Sequence, residues 1–346
     1  MTRPELRLSR GTFRANIAAV RDRIAPSALM LVLKDDAYGH GSRWAVETAM
    51  QAGVEWFGSY DIRTALNVRR IAGGDVRIFA WATSSDDEID EALARDIDLG
   101  VGTIAYLRRI IARAAALGAP ARVHLKIDTG LHRNGVLPED WADAVAEARD
   151  AERLGHLELV GIWSHIAEAS DAEDDEAQAV FLDAVRVAGE SGTTPAFVHL
   201  TASAASWWRP ELRGTVSRIG AFCYGIRSAD GPELDGIRPV ASLSALVEDI
   251  VDGDAVISIG SFDGLPSTLA GMPVGTPAGS RALRAIGQTT SVVEAWPGMA
   301  VGDEVILFGA GDSGEVSATT LAERIDTVGE EILTRLSPRV RRVVLA

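Results

Sequence analysis

Eight apolar runs, each four to nine residues long, alternate with longer amphipathic stretches over the first two thirds of the chain. The apolar runs have the length and composition of buried β-strands. In the stretches between them, apolar residues recur at helical spacing, and several of these stretches end in glycine, as helices often do. The pattern therefore predicts eight strands, at residues 29–34, 56–59, 76–82, 97–102, 122–128, 157–165, 196–200 and 215–220.

Strands that alternate with helices indicate parallel βαβ units, and eight such units favour an α/β fold of the (β/α)8 TIM-barrel type. A doubly wound open sheet is the alternative, but no Gly-x-Gly-x-x-Gly follows the first strand. After about residue 235 the pattern changes to short β-like segments broken by Gly, Pro and Asp. We predict a barrel domain at 1–235 and a C-terminal mostly-β domain at 236–346, with residues 1–10 as candidates for pairing with the β domain.

The composition is that of a soluble protein, and it excludes several classes of partner. Hydrophobic residues make up 47% of the 346 positions and charged residues 24%, and no apolar window is long enough to span a membrane. The net charge of −15 disfavours binding to a phosphate backbone, so we expect no nucleic-acid partner. The single cysteine, Cys223, leaves no internal disulfide to form, and a cytoplasmic location is expected.

Lysine is almost absent from the chain. Of 34 basic residues only Lys34 and Lys126 are lysines, and each falls near the end of a predicted strand. Arginine stays protonated, whereas an amine in a dry site can lose its proton and become a nucleophile. Chance survival on a solvated surface is the alternative reading of each lysine alone. Their shared position favours a chemical role instead.

Polar residues collect at the ends of the predicted strands. In barrels of this type the working residues lie at the carboxyl ends of the strands. The residues at or just after those ends are Lys34, Lys126, Asp128, Arg133, His165, His199 and Arg218. Each histidine alone could equally be a hydrogen-bonded core residue. The acidic run 168–178 has no accompanying histidine or spaced ligand loop, so no metal site is expected.

A strand-end lysine can form an imine with a carbonyl group, which leaves two enzyme classes open. In a Schiff-base aldolase the lysine attacks the substrate, and in a pyridoxal phosphate (PLP) enzyme it holds the cofactor. A phosphate would bind the loops after the last two strands, where Ser203, Ala204, Gly220 and Ala221 allow close backbone approach. This fits a phosphorylated cofactor and does not exclude a sugar phosphate. A metal- or lysine-dependent barrel hydrolase or aldolase without PLP is a third class.

Seven segments spread along the chain carry one resemblance: KDDAYGHG, KIDTGLHRNG, SHIAEAS, HLTASAA, SRIGAFCYGI, GDEVILFG and RLSPRVRRV. In this order they resemble the alanine racemase family of fold type III PLP enzymes. The opening KDDAYGHG is the most specific of them, and the set spans nearly the whole chain. The resemblance implies an isomerase that interconverts L- and D-alanine by α-proton exchange on PLP. It also implies a role in D-amino acid metabolism for cell wall precursors, a small amino acid as substrate and a head-to-tail homodimer.

The resemblance also assigns roles to individual residues. Lys34 would carry the cofactor and act as one base, and Arg133 would touch the cofactor and the substrate carboxylate. Arg218 would face the pyridine nitrogen with His199 behind it, and Lys126 would be a lysine that is often carbamylated in this family. The catalytic residues it implies are Lys34, Arg133 and His165. The cofactor-binding residues it implies are Lys34, Tyr38, His199, Ser203, Arg218, Gly220, Ala221 and Tyr224.

The C-terminal domain departs from the family pattern. The family draws its second base, a tyrosine, from the β domain of the partner subunit, but in this chain no tyrosine follows Tyr224. The position of a family Gly-Tyr-Ala-Asp-Gly motif reads GSFDG at 260–264. One acid–base group contributes about 10²–10⁴-fold, so weak or altered racemisation is expected. The alternative is a PLP-binding homologue that is a one-base lyase, a racemase of another amino acid, or inactive.

Overall fold

A computed structural model describes residues 3–346 of the chain. Over these residues it contains strands and α-helices that we number in chain order. The strands are β1 Glu5–Ser9, β2 Ala28–Val32, β3 Trp56–Ser59, β4 Arg77–Ala80, β5 Asp98–Val101, β6 Ala121–Lys126, β7 Leu157–Trp163, β8 Phe197–His199, β9 Val216–Ile219, β10 Ala241–Val251, β11 Asp254–Ile257, β12 Pro273–Thr276, β13 Gly279–Ile286, β14 Ser291–Val293, β15 Glu304–Phe308 and β16 Arg341–Leu345. The helices are α1 Arg10–Ile24, α2 Asp35–Tyr38, α3 Ser42–Gln51, α4 Ile62–Ala72, α5 Asp86–Ala94, α6 Ile104–Leu117, α7 Trp141–Arg153, α8 Asp171–Glu190, α9 Ser203–Trp208, α10 Ala318–Glu323 and α11 Gly329–Thr334.

The chain forms two compact units that are interleaved along the sequence. The barrel unit comprises Val20–Lys34 and Met50–Gly220, and the β unit comprises the described residues up to Ala19 together with Asp35–Ala49 and Ala221–Ala346. The predicted domain boundary between residues 235 and 236 stays a prediction. No helix among residues 3–346 combines the length and the apolar character that a membrane crossing requires.

The barrel unit contains an eight-stranded parallel sheet that is nearly closed into a barrel. The strand order is β8-β7-β6-β5-β4-β3-β2-β9, so strands adjacent in the chain are adjacent in the sheet until β9 returns to β2. In that last pair Met30 lies opposite Arg218. Between the two end strands, the Arg218 N–H donates to the carbonyl of Thr201, just after β8, at 3.3 Å. The prediction of eight strands is confirmed, and an order without reversal excludes the doubly wound sheet.

Seven of the eight barrel strands are shorter than their predicted runs, and in two of them this decides where a site residue lies. The run 29–34 gives a strand that ends at Val32, and the run 157–165 gives one that ends at Trp163. The N–H of Leu33 still donates to the carbonyl of Gly58 at 2.8 Å, which continues the sheet by one residue. Apolar residues continue for a short distance beyond the ends of β2 and β7. Lys34 and His165 therefore lie in the loops that follow these strands and not within them.

Polar side chains fix where the outer helices begin. Asp61 and Thr103 accept the N–H of the third residue of α4 and α6, and Ser85 forms a capping box with Glu88 at α5. Each cap satisfies an otherwise unpaired N–H and stabilises its helix by about 1 kcal/mol. Gly118 ends α6 in the left-handed conformation that residues with a Cβ disfavour.

The interior of the barrel is aromatic. Met30, Trp56, Phe79, Trp163 and Val216 form a buried cluster contributed by five different strands. Side chains of alternate strands fill the interior of such barrels and leave no pore. The site residues that project inward therefore do so into dry surroundings, where electrostatic interactions are strong.

The β unit is built on a second eight-stranded sheet, which confirms the prediction of a mostly-β part. Its order is β11-β14-β13-β12-β15-β10-β1-β16, and β10 also pairs with β11. β1 lies in the middle of three strands: Glu5 is opposite Ser244 in the antiparallel neighbour and opposite Arg341 in the parallel one. Of the predicted 1–10 segment, the first two residues lie outside the described residues.

Candidate active site

Lys34 lies at the carboxyl-terminal rim of the barrel unit. It follows β2 by two residues and is half-buried. The carboxyl ends of all eight strands meet at this rim because the strands are parallel and in chain order. The polar residues that end β6 and follow β7 and β8 therefore belong to the same rim as the lysine.

Lys126, the last residue of β6, is almost completely buried, with 5% of its surface exposed. Its Nζ donates to the carbonyl oxygen of Arg133 at 2.7 Å and lies 4.9 Å from the ring centre of Trp163. Burial, together with the positive charges of Arg218 and Arg133, lowers the pKa of Lys126 to about 8. A substantial fraction of this amine is consequently neutral slightly above neutral pH.

Arg218 is a buried cation whose guanidinium is held by acceptors on three sides. Nη1 donates to Nδ1 of His199 at 3.1 Å and to the His199 carbonyl at 2.9 Å. Nη2 donates to the carbonyls of Ser164 and Leu200 at 2.8 and 3.1 Å, and lies 3.3 Å from Nδ1 of His165. Burial lowers the pKa of Arg218 to about 9, so the group stays protonated at neutral pH. So many partners fix the orientation of the guanidinium.

His165 is held neutral by its surroundings. Burial and the positive charges of Arg218, Arg133, Lys126 and Lys34 lower the pKa of His165 to about 3. Four cations thus act on one ring, although the chain as a whole carries a net charge of −15. This rim is a local site for an anion in an acidic protein.

A second polar group of the barrel unit lies where β8 and β9 lead into their loops. Ser203 begins α9, and its Oγ accepts the N–H of Gly220 at 3.3 Å. The residue before the helix, Ala202, has no side chain to cap it. The Glu168 carboxylate accepts the N–H of Ala205 at 2.8 Å and so takes over that function.

The β unit contributes a backbone feature that the sequence did not indicate. The residues of α2 have φ between 51° and 56°, so Asp35–Tyr38 form a turn of left-handed helix, and Gly39 continues it with φ 77°. Such a conformation costs about 1–2 kcal/mol for each residue with a Cβ. Internal hydrogen bonds and the Asp36 carboxylate, which accepts the N–H of Ser42 at 2.7 Å, hold the turn. Arg342 donates to the Gly39 carbonyl at 3.2 Å.

This turn presents Tyr38 to a buried aromatic group of the β unit. The ring of Tyr38 lies 5.1 Å from that of Tyr224, which stacks on Phe13 at 4.9 Å and lies 4.8 Å from His40. Ala221 and Tyr224 are the first and last residues of a 3₁₀ turn. Burial raises the pKa of both tyrosines well above the usual value, so both phenols are neutral. The Tyr224 hydroxyl has no hydrogen-bond partner within residues 3–346.

No group of three or more His, Cys, Asp or Glu side chains in the described part of the chain is arranged to hold a metal ion. The rim presents amines, guanidinium groups and an imidazole that its surroundings keep neutral. Comparison with known proteins then decides the family: the alanine racemase N-terminal domain model matches residues 8–228, and the alanine racemase C-terminal domain model matches residues 253–344. The chain belongs to the alanine racemase family.

Relatives and solved structures agree with this membership over the full length. The alanine racemase of Thermobifida fusca is 34% identical over 366 residues, which cover 98% of this chain and 97% of that protein. The structure of alanine racemase from Streptomyces lavendulae has a TM-score of 0.91 and 32% identity, covering 100% of this chain and 98% of the other. That from Streptomyces coelicolor has a TM-score of 0.92 and 30% identity, covering 99% and 98%.

Membership in the alanine racemase family confirms the resemblance noted in the sequence. It makes the chain an enzyme of the isomerase class that works with PLP. Within the barrel unit the structure brings together Lys34, Lys126, Arg133, His165 and Arg218 through the charges that act on His165. It places His199 behind Arg218 and Ser203 beside Gly220.

Three features of this alanine racemase family member escaped the sequence analysis. The left-handed turn is formed by residues other than glycine, at Asp35–Tyr38, and the only signal in the sequence is the pair of glycines that follows them. The capping role of Glu168 depends on a contact with Ala205, 37 residues away. His124 and Asp98, which are buried inside the barrel, were not among the predicted site residues because each lies within an apolar run. For His124 a signal existed, because it lies two residues before Lys126 and so on the same face of β6.

Proposed function

We propose that the chain is a PLP-dependent amino-acid racemase, alanine racemase-like, that interconverts L- and D-alanine by exchange of the α-proton. The observation that carries this proposal is the cationic rim of the barrel unit, where two amines, two guanidinium groups and a neutral imidazole surround one site. An amino acid presents a carboxylate, and the cofactor presents an aldehyde and a phosphate. The rim provides a group of complementary chemistry for each of them.

The residues present fit the cofactor. Lys34 would hold its aldehyde, and the N–H of Gly220 with the hydroxyl of Ser203 would hold its phosphate, together with Tyr38, Ala221 and Tyr224. PLP, when bound, withdraws electrons from the α-carbon of the amino acid. Arg218, backed by His199, would donate a hydrogen bond to the ring nitrogen. An arginine cannot readily give up its proton, so the ring would remain a modest electron sink, which favours proton exchange over other reactions.

Three side chains of this rim would handle the substrate. Arg133 would bind the substrate carboxylate, and Lys34 would remove and return the α-proton on one face. His165, held neutral by the cations around it, would donate or accept a hydrogen bond without adding charge. The fixed orientation of these groups is what a positioned proton transfer requires.

Lys126 is proposed to be carbamylated. Its lowered pKa leaves neutral amine available near neutral pH, and that is the form whose nitrogen lone pair attacks carbon dioxide. A new N–C bond forms as one C=O π bond of carbon dioxide opens onto its oxygen, the nitrogen gives one proton to solvent, and the product is an anionic carbamate. The anion would lie beside Arg133 and Arg218, whose charges oppose the cationic form of the lysine. Carbamylation would thus replace a like-charge repulsion by an ion pair.

The second face of the substrate has no evident base within this chain, because no tyrosine follows Tyr224. We therefore propose a weak or altered racemisation, carried by a cytoplasmic head-to-tail homodimer with a complete (β/α)8 barrel in domain 1–235. The alternative is a PLP-binding homologue that acts as a one-base lyase, racemises another amino acid, or has no activity. The same departure from the family pattern supports this alternative.

Borohydride reduction tests the attachment of the cofactor. Protein reconstituted with PLP is reduced, digested and examined by mass spectrometry, and a pyridoxyl adduct is expected on the peptide that contains Lys34. Lys34→Ala should lose the adduct and the visible absorbance of the bound cofactor. Lys126→Met removes the other lysine of the chain and should keep the adduct. A folded wild type that takes up no PLP would overturn the proposal.

Solvent deuterium exchange then separates the racemase from its alternatives. The reconstituted protein is incubated in deuterated water with L- and D-forms of a panel of amino acids, and α-deuterium and enantiomer composition are followed together. A racemase with one efficient base should label one enantiomer of alanine faster than the other and slowly form its mirror image. Labelling without inversion, or pyruvate formation, would support the lyase alternative.

A further inference from the structure

A row of polar side chains runs through the aromatic interior of the barrel unit and ends at Arg218. The Arg218 guanidinium lies 3.1 Å from Nδ1 of His199. Nε2 of His199 lies 2.9 Å from Nδ1 of His124, and Nε2 of His124 lies 3.3 Å from Oδ2 of Asp98. Both histidines and Asp98 are completely buried. Asp98 begins β5, so the row extends from the amino-terminal end of the barrel towards the rim.

Only one arrangement of protons satisfies every hydrogen bond in this row. A guanidinium can only donate, so Nδ1 of His199 must be the acceptor and its proton must sit on Nε2. That proton is donated to Nδ1 of His124, which leaves the proton of His124 on Nε2, directed at the Asp98 carboxylate. If either ring were protonated on both nitrogens, one contact would place two donors face to face. The two imidazoles are therefore neutral. Their tautomers are fixed by the donor at one end of the row, Arg218, and the acceptor at the other, Asp98.

The negative charge of Asp98, at the end of the row opposite Arg218, is held by two arginines. The Asp98 carboxylate accepts the Nε–H of Arg77 at 2.6 Å on one oxygen and the Nε–H of Arg122 at 2.6 Å on the other. Burial opposes its ionisation, but the hydrogen bond from His124 and the charges of the two arginines lower its pKa to about 2. Burial likewise lowers the pKa of His124 and His199, in agreement with neutral rings. The carboxylate is an acceptor throughout the ordinary pH range.

Gly161 leaves the space that the ring of His124 occupies. A Cβ on Gly161 of β7 would lie 2.0 Å from Nδ1 of His124, the atom that accepts from His199. The backbone of Gly161 is not in the left-handed region, so the absent side chain, not the conformation, is what the position requires. Phe79 covers the row, with its ring 4.7 Å from that of His124 and 5.3 Å from that of His199. The hydrogen bonds are thus shielded from competing water.

We propose that Asp98 and His124 are positioning residues for the reaction. The carboxylate fixes the tautomer of His124, His124 fixes that of His199, and His199 presents its lone pair to Nη1 of Arg218. The row thereby holds the guanidinium with the N–H groups of Nη2 on the carbonyls of Ser164 and Leu200, which would leave the Nε–H of Arg218 for the ring nitrogen of the cofactor. The last step rests on the proposed function. The protonation pattern does not, since it follows from the contacts within the barrel unit.

Nitrogen-15 NMR of the imidazoles tests the pattern directly in the wild-type protein. The chain has six histidines, and magic-angle-spinning spectra of the sedimented full-length protein with labelled histidine resolve the two tautomers and the imidazolium by their nitrogen shifts. The signals of the two rings of the row are assigned by their loss in His124→Phe and His199→Phe. Both rings are expected to be neutral with protonated Nε2. An imidazolium, or protonation on Nδ1, at either ring would overturn the proposal with or without cofactor.

Gly161→Ala tests the functional step because it displaces His124 and removes no polar group. The matched control is Gly189→Ala in α8, where a Cβ meets nothing within 4 Å. In holoenzyme with nitrogen-15 in the PLP ring, Gly161→Ala should shift the ring-nitrogen signal towards that of a pyridine without a hydrogen bond. It should lower kcat about tenfold, as loss of supporting contacts around a site typically does, and leave KM within twofold. His124→Phe should do the same.

The outcomes separate this inference from the proposed function. A ring-nitrogen signal and kcat of His124→Phe equal to those of the Gly189→Ala control would overturn the positioning role. Equal losses in kcat and in cofactor content would do so too, because they would indicate a role in folding only. If the wild type binds no PLP, the proposed function fails, while the NMR of the histidines still decides the protonation pattern.

Discussion

Lys126→Met offers the sharpest test of the electrostatics of the site, because it removes a buried cation that the fold accommodates at a cost. Lys126 is 5% exposed, and its pKa falls from 10.5 to about 8. A shift of this size corresponds to about 3 kcal/mol of unfavourable free energy for the charged form in the folded state. The methionine side chain has a similar length, suits apolar surroundings and carries no charge.

The sign of the effect follows from the two states of the lysine. In the unfolded chain the amine binds a proton up to its ordinary pKa of 10.5, but in the folded chain only up to about 8. Below pH 8 both states are protonated and the folded state bears the whole penalty. As the pH rises from 8 to 10.5 the folded lysine is neutral and the penalty shrinks. The wild type should therefore gain stability relative to Lys126→Met over this range.

The free-energy penalty for the charged form of Lys126 in the folded state differs between pH 7 and pH 9.5. At pH 7 the penalty is about 3 kcal/mol, but methionine also leaves the Arg133 carbonyl without its donor, which costs about 1–3 kcal/mol. Lys126→Met is thus expected to be as stable as the wild type or more stable by up to about 2 kcal/mol. At pH 9.5 the penalty falls to about 1 kcal/mol, so the difference should move by about 2 kcal/mol in favour of the wild type.

Urea unfolding in buffer freed of carbon dioxide measures this difference at both pH values. Lys126→Arg is the control, since an arginine keeps its charge at pH 9.5 and should show no such recovery. Added bicarbonate should then stabilise the wild type alone if the amine is carbamylated. A difference between wild type and Lys126→Met that stays constant from pH 7 to 9.5, or an equal recovery in Lys126→Arg, would refute the reasoning.

Other perturbations test the supporting structure by urea unfolding. Gly39→Ala should cost at least about 2 kcal/mol, because its positive φ is strained and a Cβ would lie 2.8 Å from a carbonyl of α11; Gly118→Ala, left-handed with φ 64° and with open space around it, should cost only about 1. Asp98→Asn should cost about 3–5 kcal/mol at pH 7. Since the folded pKa of Asp98 is about 2, against 3.8 unfolded, part of that loss should vanish as the pH falls from 4 towards 2; a pH-independent loss would contradict the ionised carboxylate. Glu168→Ala should cost about 0.5–1 kcal/mol by uncapping Ala205, and Glu168→Gln should restore most of it.

The barrel could be predicted because its information is local and repeated. Each apolar run of four to nine residues marks a strand buried on both faces, and each amphipathic stretch marks a helix with one face on the sheet. Parallel neighbours then place the ends of all the strands together, so Lys34, Lys126 and Arg218 could be assigned to one rim without coordinates. The strand ends were less certain, since the apolar run before Lys34 continues past the last ladder residue.

The site chemistry was predictable only where residue type was unusual. Two lysines among 34 basic residues stood out by number, and the rim histidines by their position. Their charge states were not predictable. The pKa of His165, about 3, results from burial and from four cations contributed by separate segments, and the pKa of Lys126, about 8, from burial at a strand end and from two arginines.

The sequence by itself determined the alternation of strands and helices, the rim on which the reactive residues lie and the family to which the chain belongs. Only the tertiary structure decided the left-handed turn before Gly39, the capping of α9 by Glu168 and the row from Asp98 through His124 to Arg218. Periodicity depends on neighbours three or four residues apart in a helix and two apart in a strand. These other features depend on contacts between groups far apart in the chain, such as His124 and His199, 75 residues apart. That contact exists only once β6, β7 and β8 lie side by side in the folded sheet.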